Sequence, residues 1–267
     1  MPYSTRNGVR IHYETSGEGP PLVFVHANPF DRRLWLHQVA RFSAFYKVIA
    51  MDLRGYGFSD KPEAAFTLSD MTADVLGVCA DEGVTQAIFA GCSVGSGICM
   101  QIGLDHPQMA QAVVLVGGSS RGPRNVDELV KGFETPDLAG YLMSLMRRYV
   151  APGFADTPRG RWTLNLFVER AGDLSAKSIA QIFRARGSFD MSGRLSGLKP
   201  PALVVNGEHD GSLPAGQETA SLIPGARHVV IPNAGHACCI EDPEAFDRAV
   251  IEFLAAHGLW TGPGMAP

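Results

Sequence analysis

The chain has 267 residues, enough for one large α/β domain or a domain carrying an insertion. Hydrophobic residues at 45% and charged residues at 19% exclude a disordered chain. A net charge of -4 supplies no footprint for nucleic acid or an anionic membrane, and no apolar run approaches the roughly 20 residues that span a bilayer. The opening MPYSTRNGVRIHYE lacks the apolar stretch of a signal peptide. Five cysteines, Cys79, Cys92, Cys99, Cys238 and Cys239, are an odd number without a disulfide or zinc spacing. Reduced thiols in a cytoplasmic protein, with no metal and no cofactor, are the expectation.

In chain order, Asn7-Gly8 beside the alternating RIHYE reads as a hairpin turn. Short apolar runs follow at 22–26, 48–52, 87–90, 113–116, 202–205 and 228–231, and all read as strands buried on both faces. Helical patterns separate them at 34–42, 68–81, 95–105, 215–222 and 243–257. The last opens Asp242-Pro243-Glu244, an N-cap, a first-turn proline and a first-turn acid. This alternation predicts a mostly parallel sheet flanked by helices. It breaks once, over 121–197, where Tyr141, Leu142, Leu145, Met146 and Tyr149 recur at helical spacing. The expected organisation is a core of 1–120 and 198–267 with a helical cap, 121–197, inserted after the sixth strand. The tail TGPGMAP reads as frayed.

Two pentapeptides fit G-x-S-x-G: Gly91-Cys92-Ser93-Val94-Gly95 and Gly118-Ser119-Ser120-Arg121-Gly122. Such a pattern arises by chance in a chain with 30 glycines, so context must separate them. A nucleophile elbow needs a strand, a sharp turn and then a helix. Ser93 is followed by VGSGICMQIGLDHP, free of proline for more than ten residues. Ser120 is followed by RGPRN, a loop. Ser93 is therefore the candidate nucleophile. Cys92 occupies the variable position and points elsewhere.

A serine hydroxyl needs a base, and the base needs an orienting acid. His236, in PNAGHACCIED after the run 228–231, is the candidate base. His26, His228 and His257 read as structural. Asp210, in the segment after 202–205, is the candidate acid, and Ser93, Asp210, His236 is the chain order that accompanies the elbow.

With GCSVG, the segments HANP (26–29), DLRGYGFSDKP (52–62), GEHD (207–210) and NAGHACCIEDPEAF (233–246) make the chain resemble an α/β-hydrolase over about residues 9–258. The resemblance implies an oxyanion hole from the backbone N–H groups of Asn28 and Val94. Ala27 stands where the family usually has Gly, which leaves Ala27 or Asn28 open as the first donor. The DLRGYGFSDKP segment reads as scaffold. HANP and DLRGYGFSDKP also resemble epoxide hydrolases and haloalkane dehalogenases, which use an Asp where this chain has Ser93.

The implied chemistry is hydrolysis of a small or medium ester or lactone through an acyl-enzyme on Ser93, with water as second substrate. Alternatives are a C–C bond hydrolase or enol-lactonase acting on an anionic substrate, a ligand-binding receptor on this fold, and a cofactor-free dioxygenase. Phe133, Trp162 and Phe167 of the cap are candidates for an acyl pocket. Residues 121–197 carry 12 Lys+Arg against 8 Asp+Glu. A basic lid would steer an anionic substrate; the same arginines on solvated helix faces would not.

Overall fold

The computed structural model describes residues 2–263. Strands β1 (Tyr3–Arg6) and β2 (Val9–Ser16) form the expected hairpin, with Arg6 opposite Val9 across a two-residue turn. Asn7 and Gly8 both have positive φ there, 50° and 78°, as that tight turn demands. Then come β3 (Pro21–Val25), α1 (Leu36–Phe42), β4 (Lys47–Met51), α2 (Leu68–Asp81), β5 (Ala87–Cys92), α3 (Val94–Asp105) and β6 (Ala110–Val116). Four helices follow: α4 (Val126–Gly132), α5 (Leu138–Tyr149), α6 (Pro158–Val168) and α7 (Ala176–Gly187). The chain returns through β7 (Ala202–Gly207), α8 (Leu213–Leu222), β8 (Arg227–Ile231), α9 (Cys238–Glu241) and α10 (Pro243–Ala256).

The eight strands form one sheet in the order β1-β2-β4-β3-β5-β6-β7-β8. The β1–β2 and β2–β4 pairs are antiparallel and the rest parallel. Each parallel step needs a crossover; α3 and α8 pack on the strands they connect, while α2 packs over β1 and against α3. Strands β5 and β7 are buried along their whole length, which explains their uninterrupted apolar sequences. The run 228–231 departs from that expectation: β8 is the edge strand, and only Ile231 is fully buried. Helix ends follow local chemistry. Thr67 and Asp70 close a capping box on α2, and Asp242 accepts the Ala245 amide at 3.0 Å to start α10.

The beginning of the tail is not frayed. Thr261 Oγ1 donates to the Phe45 carbonyl at 2.8 Å, and Trp260 packs against Phe42, Phe45 and Tyr46. Residues 264–267 lie outside the described residues. Between β6 and β7 the chain makes only one isolated bridge, Arg121 with Asp190, which closes the neck of the helical segment.

Candidate active site

The carboxyl ends of the parallel strands gather the candidate residues, as doubly covered sheets do. Ser93 joins β5 to α3 at φ 54° and ψ -108°, a conformation that costs a non-glycine residue roughly 1–3 kcal/mol. The flanking glycines permit it. A Cβ on Gly91 would lie 2.2 Å from the Gly95 carbonyl oxygen, and one on Gly95 would lie 2.2 Å from that of Val25. Ser93 N–H donates to the Val116 carbonyl at 2.8 Å, which fixes the turn. Val94 follows as the first residue of α3, so its N–H has no acceptor within the helix.

His236 Nδ1 lies 2.9 Å from Asp210 Oδ1. A carboxylate only accepts, so Nδ1 carries the proton and Nε2 is free to receive one. The Asp210 carboxylate is held on several sides. Ser212 N–H donates to Oδ1 at 2.8 Å, and Asn206 Nδ2 donates to Oδ2 at 2.9 Å. His228 Nε2, 3.1 Å from Asn206 Oδ1, holds that amide in turn. Burial opposes ionisation of Asp210, but the positive charge that His236 carries when protonated, its hydrogen bond, and the donors of Ser212 and Asn206 outweigh it. Its pKa is driven well below the usual carboxylate range. The His236 backbone N–H donates to the Tyr149 carbonyl at 2.7 Å, tying the His236 loop to the end of α5.

Ser93, His236 and Asn28 line one cavity of about 320 Å³, together with Ser119, Tyr149 and Arg186. Asn28 is buried, and its Oδ1 has no partner among the described residues. His26 has a different task. Its Nε2 accepts the Leu53 N–H at 2.9 Å and its Nδ1 donates to the Ala27 carbonyl at 3.0 Å, so the neutral ring pins the HANP loop. Burial lowers its pKa and keeps it neutral. Cys92 is fully buried, which pushes its thiol pKa up and leaves it protonated. Ser120 is also buried; its amide donates to Thr219 Oγ1 at 2.8 Å and its carbonyl accepts from Met191, so the second motif is a structural loop. Among the described residues no His/Cys/Asp/Glu cluster could hold a metal.

The three aromatic candidates lie elsewhere. Phe133 is buried against Tyr141 and Phe183, within the helical segment's own core. Phe167 packs edge-on to Phe30 at 4.9 Å. Trp162 is 56% exposed on the outside of α6. The apolar part of the lining is instead Leu129, Tyr149, Phe183 and Ala215. Helical spacing found the helices but not which of their side chains line the cavity: Phe133 faces the segment's own core, Phe167 the core residue Phe30, and Trp162 solvent.

Sequence reasoning also missed Glu241 and Arg186. Glu241 Oε2 accepts the Ala151 amide at 2.6 Å and Oε1 the Gly235 amide at 2.9 Å, joining the end of α5 to the His236 loop. Arg186 falls on the buried stripe of α7 with Ile179, Ile182 and Phe183, a spacing visible in the sequence.

An eight-stranded, mostly parallel sheet with a serine elbow and a paired Asp–His at its carboxyl edge defines the α/β-hydrolase class. The chain belongs to the alpha/beta hydrolase family, whose model matches residues 22–249. It is similar to the enol-lactonase of Burkholderia xenovorans LB400, with a TM-score of 0.89 and 27% identity, over 95% of this chain and all of that one. It is 24% identical to the pimeloyl-[acyl-carrier protein] methyl ester esterase of Vibrio vulnificus, covering 91% of this chain and 97% of that protein. It is also 28% identical to a 2-hydroxy-6-oxononadienedioate/2-hydroxy-6-oxononatrienedioate hydrolase of Burkholderia vietnamiensis, over 92% and 91% of the two chains. Among the described residues no helix is long and apolar enough to cross a membrane.

Proposed function

We propose that the chain hydrolyses small or medium carboxylic esters or lactones through an acyl-enzyme on Ser93, beneath a cap formed by residues 121–197. The observation that carries this reading is the His236–Asp210 pair at 2.9 Å, opening onto the cavity that Ser93 lines. Ser93 Oγ attacks the carbonyl carbon while His236 Nε2 takes its proton. Asp210 holds the tautomer and stabilises the imidazolium. The N–H groups of Asn28 and Val94 receive the oxyanion, each such donor being worth roughly 3–4 kcal/mol of barrier. Collapse expels the alcohol, protonated by His236. The same ring then activates water to release the acid.

Relatives that act on an enol-lactone and a methyl ester support the acyl substrate class. The relative from Burkholderia vietnamiensis keeps C–C bond hydrolysis as a second reading. Five unpaired, buried cysteines fit a reducing, cytoplasmic setting.

The test is time-resolved nitrophenol release from acetate, butyrate and octanoate esters. Ser93→Ala should lose at least about a thousandfold in kcat, as expected when a triad nucleophile is removed. Ser120→Ala should retain turnover. Full activity in Ser93→Ala would overturn the assignment.

A further inference from the structure

The cavity that Ser93 and His236 share also contains a cation without a counter-ion. Arg186 is 7% exposed, lines that cavity, and has no carboxylate within ion-pair distance among the described residues. Its Nη2 donates to the Ser119 carbonyl at 3.0 Å. Its guanidinium lies over the Phe189 ring, 4.6 Å from the centroid. These two contacts fix the plane of the fork, yet Nη1 is buried with no hydrogen-bond partner. Burial lowers the pKa only to about 10, so the group is a cation at neutral pH.

A buried, unpaired guanidinium is costly, because the lost hydration is not replaced. The other arginine on the cavity wall differs. Arg121 is exposed and already paired, 2.8 Å from Glu218 and 3.6 Å from Asp190. Elsewhere in 121–197, cations such as Arg147 with Asp156 and Lys177 with Glu63 are matched on the surface. The basic excess of this segment therefore meets the cavity at one unsatisfied point. A planar fork with an unpartnered in-plane donor, Nη1, suits a planar carboxylate better than any neutral group.

We propose that Arg186 anchors a carboxylate of the substrate, so that the ester or lactone cleaved at Ser93 carries a second, anionic group. This inference rests on the hydrolase reading above and narrows its substrate class.

Two probes that differ in one terminal group test it: the mono-4-nitrophenyl ester of adipic acid, ending in carboxylate, and 4-nitrophenyl hexanoate, ending in methyl. The wild type should favour the adipate ester in kcat/KM. Arg186→Met should lower the adipate-to-hexanoate ratio by roughly ten- to a hundredfold, the range for losing a charge-assisted hydrogen bond. Arg186→Lys, which keeps the charge and loses the fork, should fall between. Arg147→Met removes a remote surface cation and should leave the ratio in place. The melting temperature of Arg186→Met should hold or rise, because an isolated buried charge is removed. An unchanged ratio in Arg186→Met, or a wild type that favours hexanoate, overturns the anchor and leaves the hydrolase reading standing. Ser93→Ala that still cleaves both esters overturns the hydrolase reading instead. If neither ester turns over, adipate itself decides: it should raise the melting temperature of Ser93→Ala protein, and not of the Ser93→Ala, Arg186→Met double variant. No shift in the first protein overturns the anchor.

Discussion

Gly117 shows how little space surrounds the His236 ring. It follows β6 at φ 54°, and a Cβ there would lie 2.6 Å from His236 Cε1 and 2.7 Å from Nδ1. Alanine at 117 must therefore strain the backbone and displace the imidazole. Gly83 separates the two effects, since it has φ 67° with nothing within 4 Å of its added Cβ. Both Gly117→Ala and Gly83→Ala should cost about 1–2 kcal/mol of stability, the price of a left-handed non-glycine residue. Only Gly117→Ala should also lose activity, by roughly a hundredfold in kcat, the scale of a misplaced catalytic group. Equal kcat in the two variants, measured beside their melting curves, would show that the ring tolerates displacement. At this scale the fold brings together the residues that chemistry, chain order and strand ends singled out: His236 pairs with Asp210 and shares a cavity with Ser93. Arg186 escaped because a lone arginine on an amphipathic helix looks like a solvated one, and only its register with Ile179, Ile182 and Phe183 distinguishes it.

The elements were legible in proportion to their burial and capping. Helix α2 begins and ends at the expected residues because Thr67 and Asp70 mark its start. Helix α5 was legible from its apolar stripe, whereas α4, α6 and α7 were not separately placed, and neither was the single turn α9. That short turn matters, because its last residue, Glu241, fastens the end of α5 to the His236 loop. Gln at 241 keeps only one acceptor oxygen, so one backbone N–H is orphaned at a cost of about 1–3 kcal/mol. The effect depends on pH. Burial raises the Glu241 pKa from 4.5 to about 7 against the pull of the two amides. The folded state therefore binds the proton more tightly than the unfolded chain. The stability this contributes is complete below about pH 4.5 and is lost as pH rises through about 7. As pH rises from about 4.5 to 8, the wild type should lose melting temperature relative to Glu241→Gln, whose side chain does not titrate. A gap that does not change with pH would mean that this carboxyl does not titrate there.

Across the whole molecule, the segment 52–60 joins the antiparallel edge of the sheet to the loop that carries Asn28. Asp52 is its hub and is completely buried. Oδ2 lies 3.1 Å from both His12 Nδ1 on β2 and Arg32 Nη1, and it accepts the Phe58 N–H at 3.0 Å. Oδ1 accepts the Arg32 N–H at 3.0 Å. Ser59 continues the link, donating to the Asp52 carbonyl and accepting the His12 N–H. Next along the chain, Leu53 donates to His26, whose ring pins Ala27. The scaffold role read from DLRGYGFSDKP is thus a network that sets the HANP loop on the sheet. Asp52→Asn would leave Arg32 short of its buried counter-charge, and breaking such a pair costs about 3–5 kcal/mol. Burial alone would raise the Asp52 pKa, but His12, Arg32 and the Phe58 amide drive it well below its ordinary 3.8. A depressed folded-state pKa makes this contribution complete above about pH 4 and progressively lost as pH falls through the folded value. Denaturant melts should therefore show Asp52→Asn far less stable than wild type at pH 7. The gap should shrink steadily below about pH 4, as the wild-type carboxylate takes up its proton on unfolding. A gap of the same size at pH 3 and pH 7 would show that the network owes its strength to shape rather than charge.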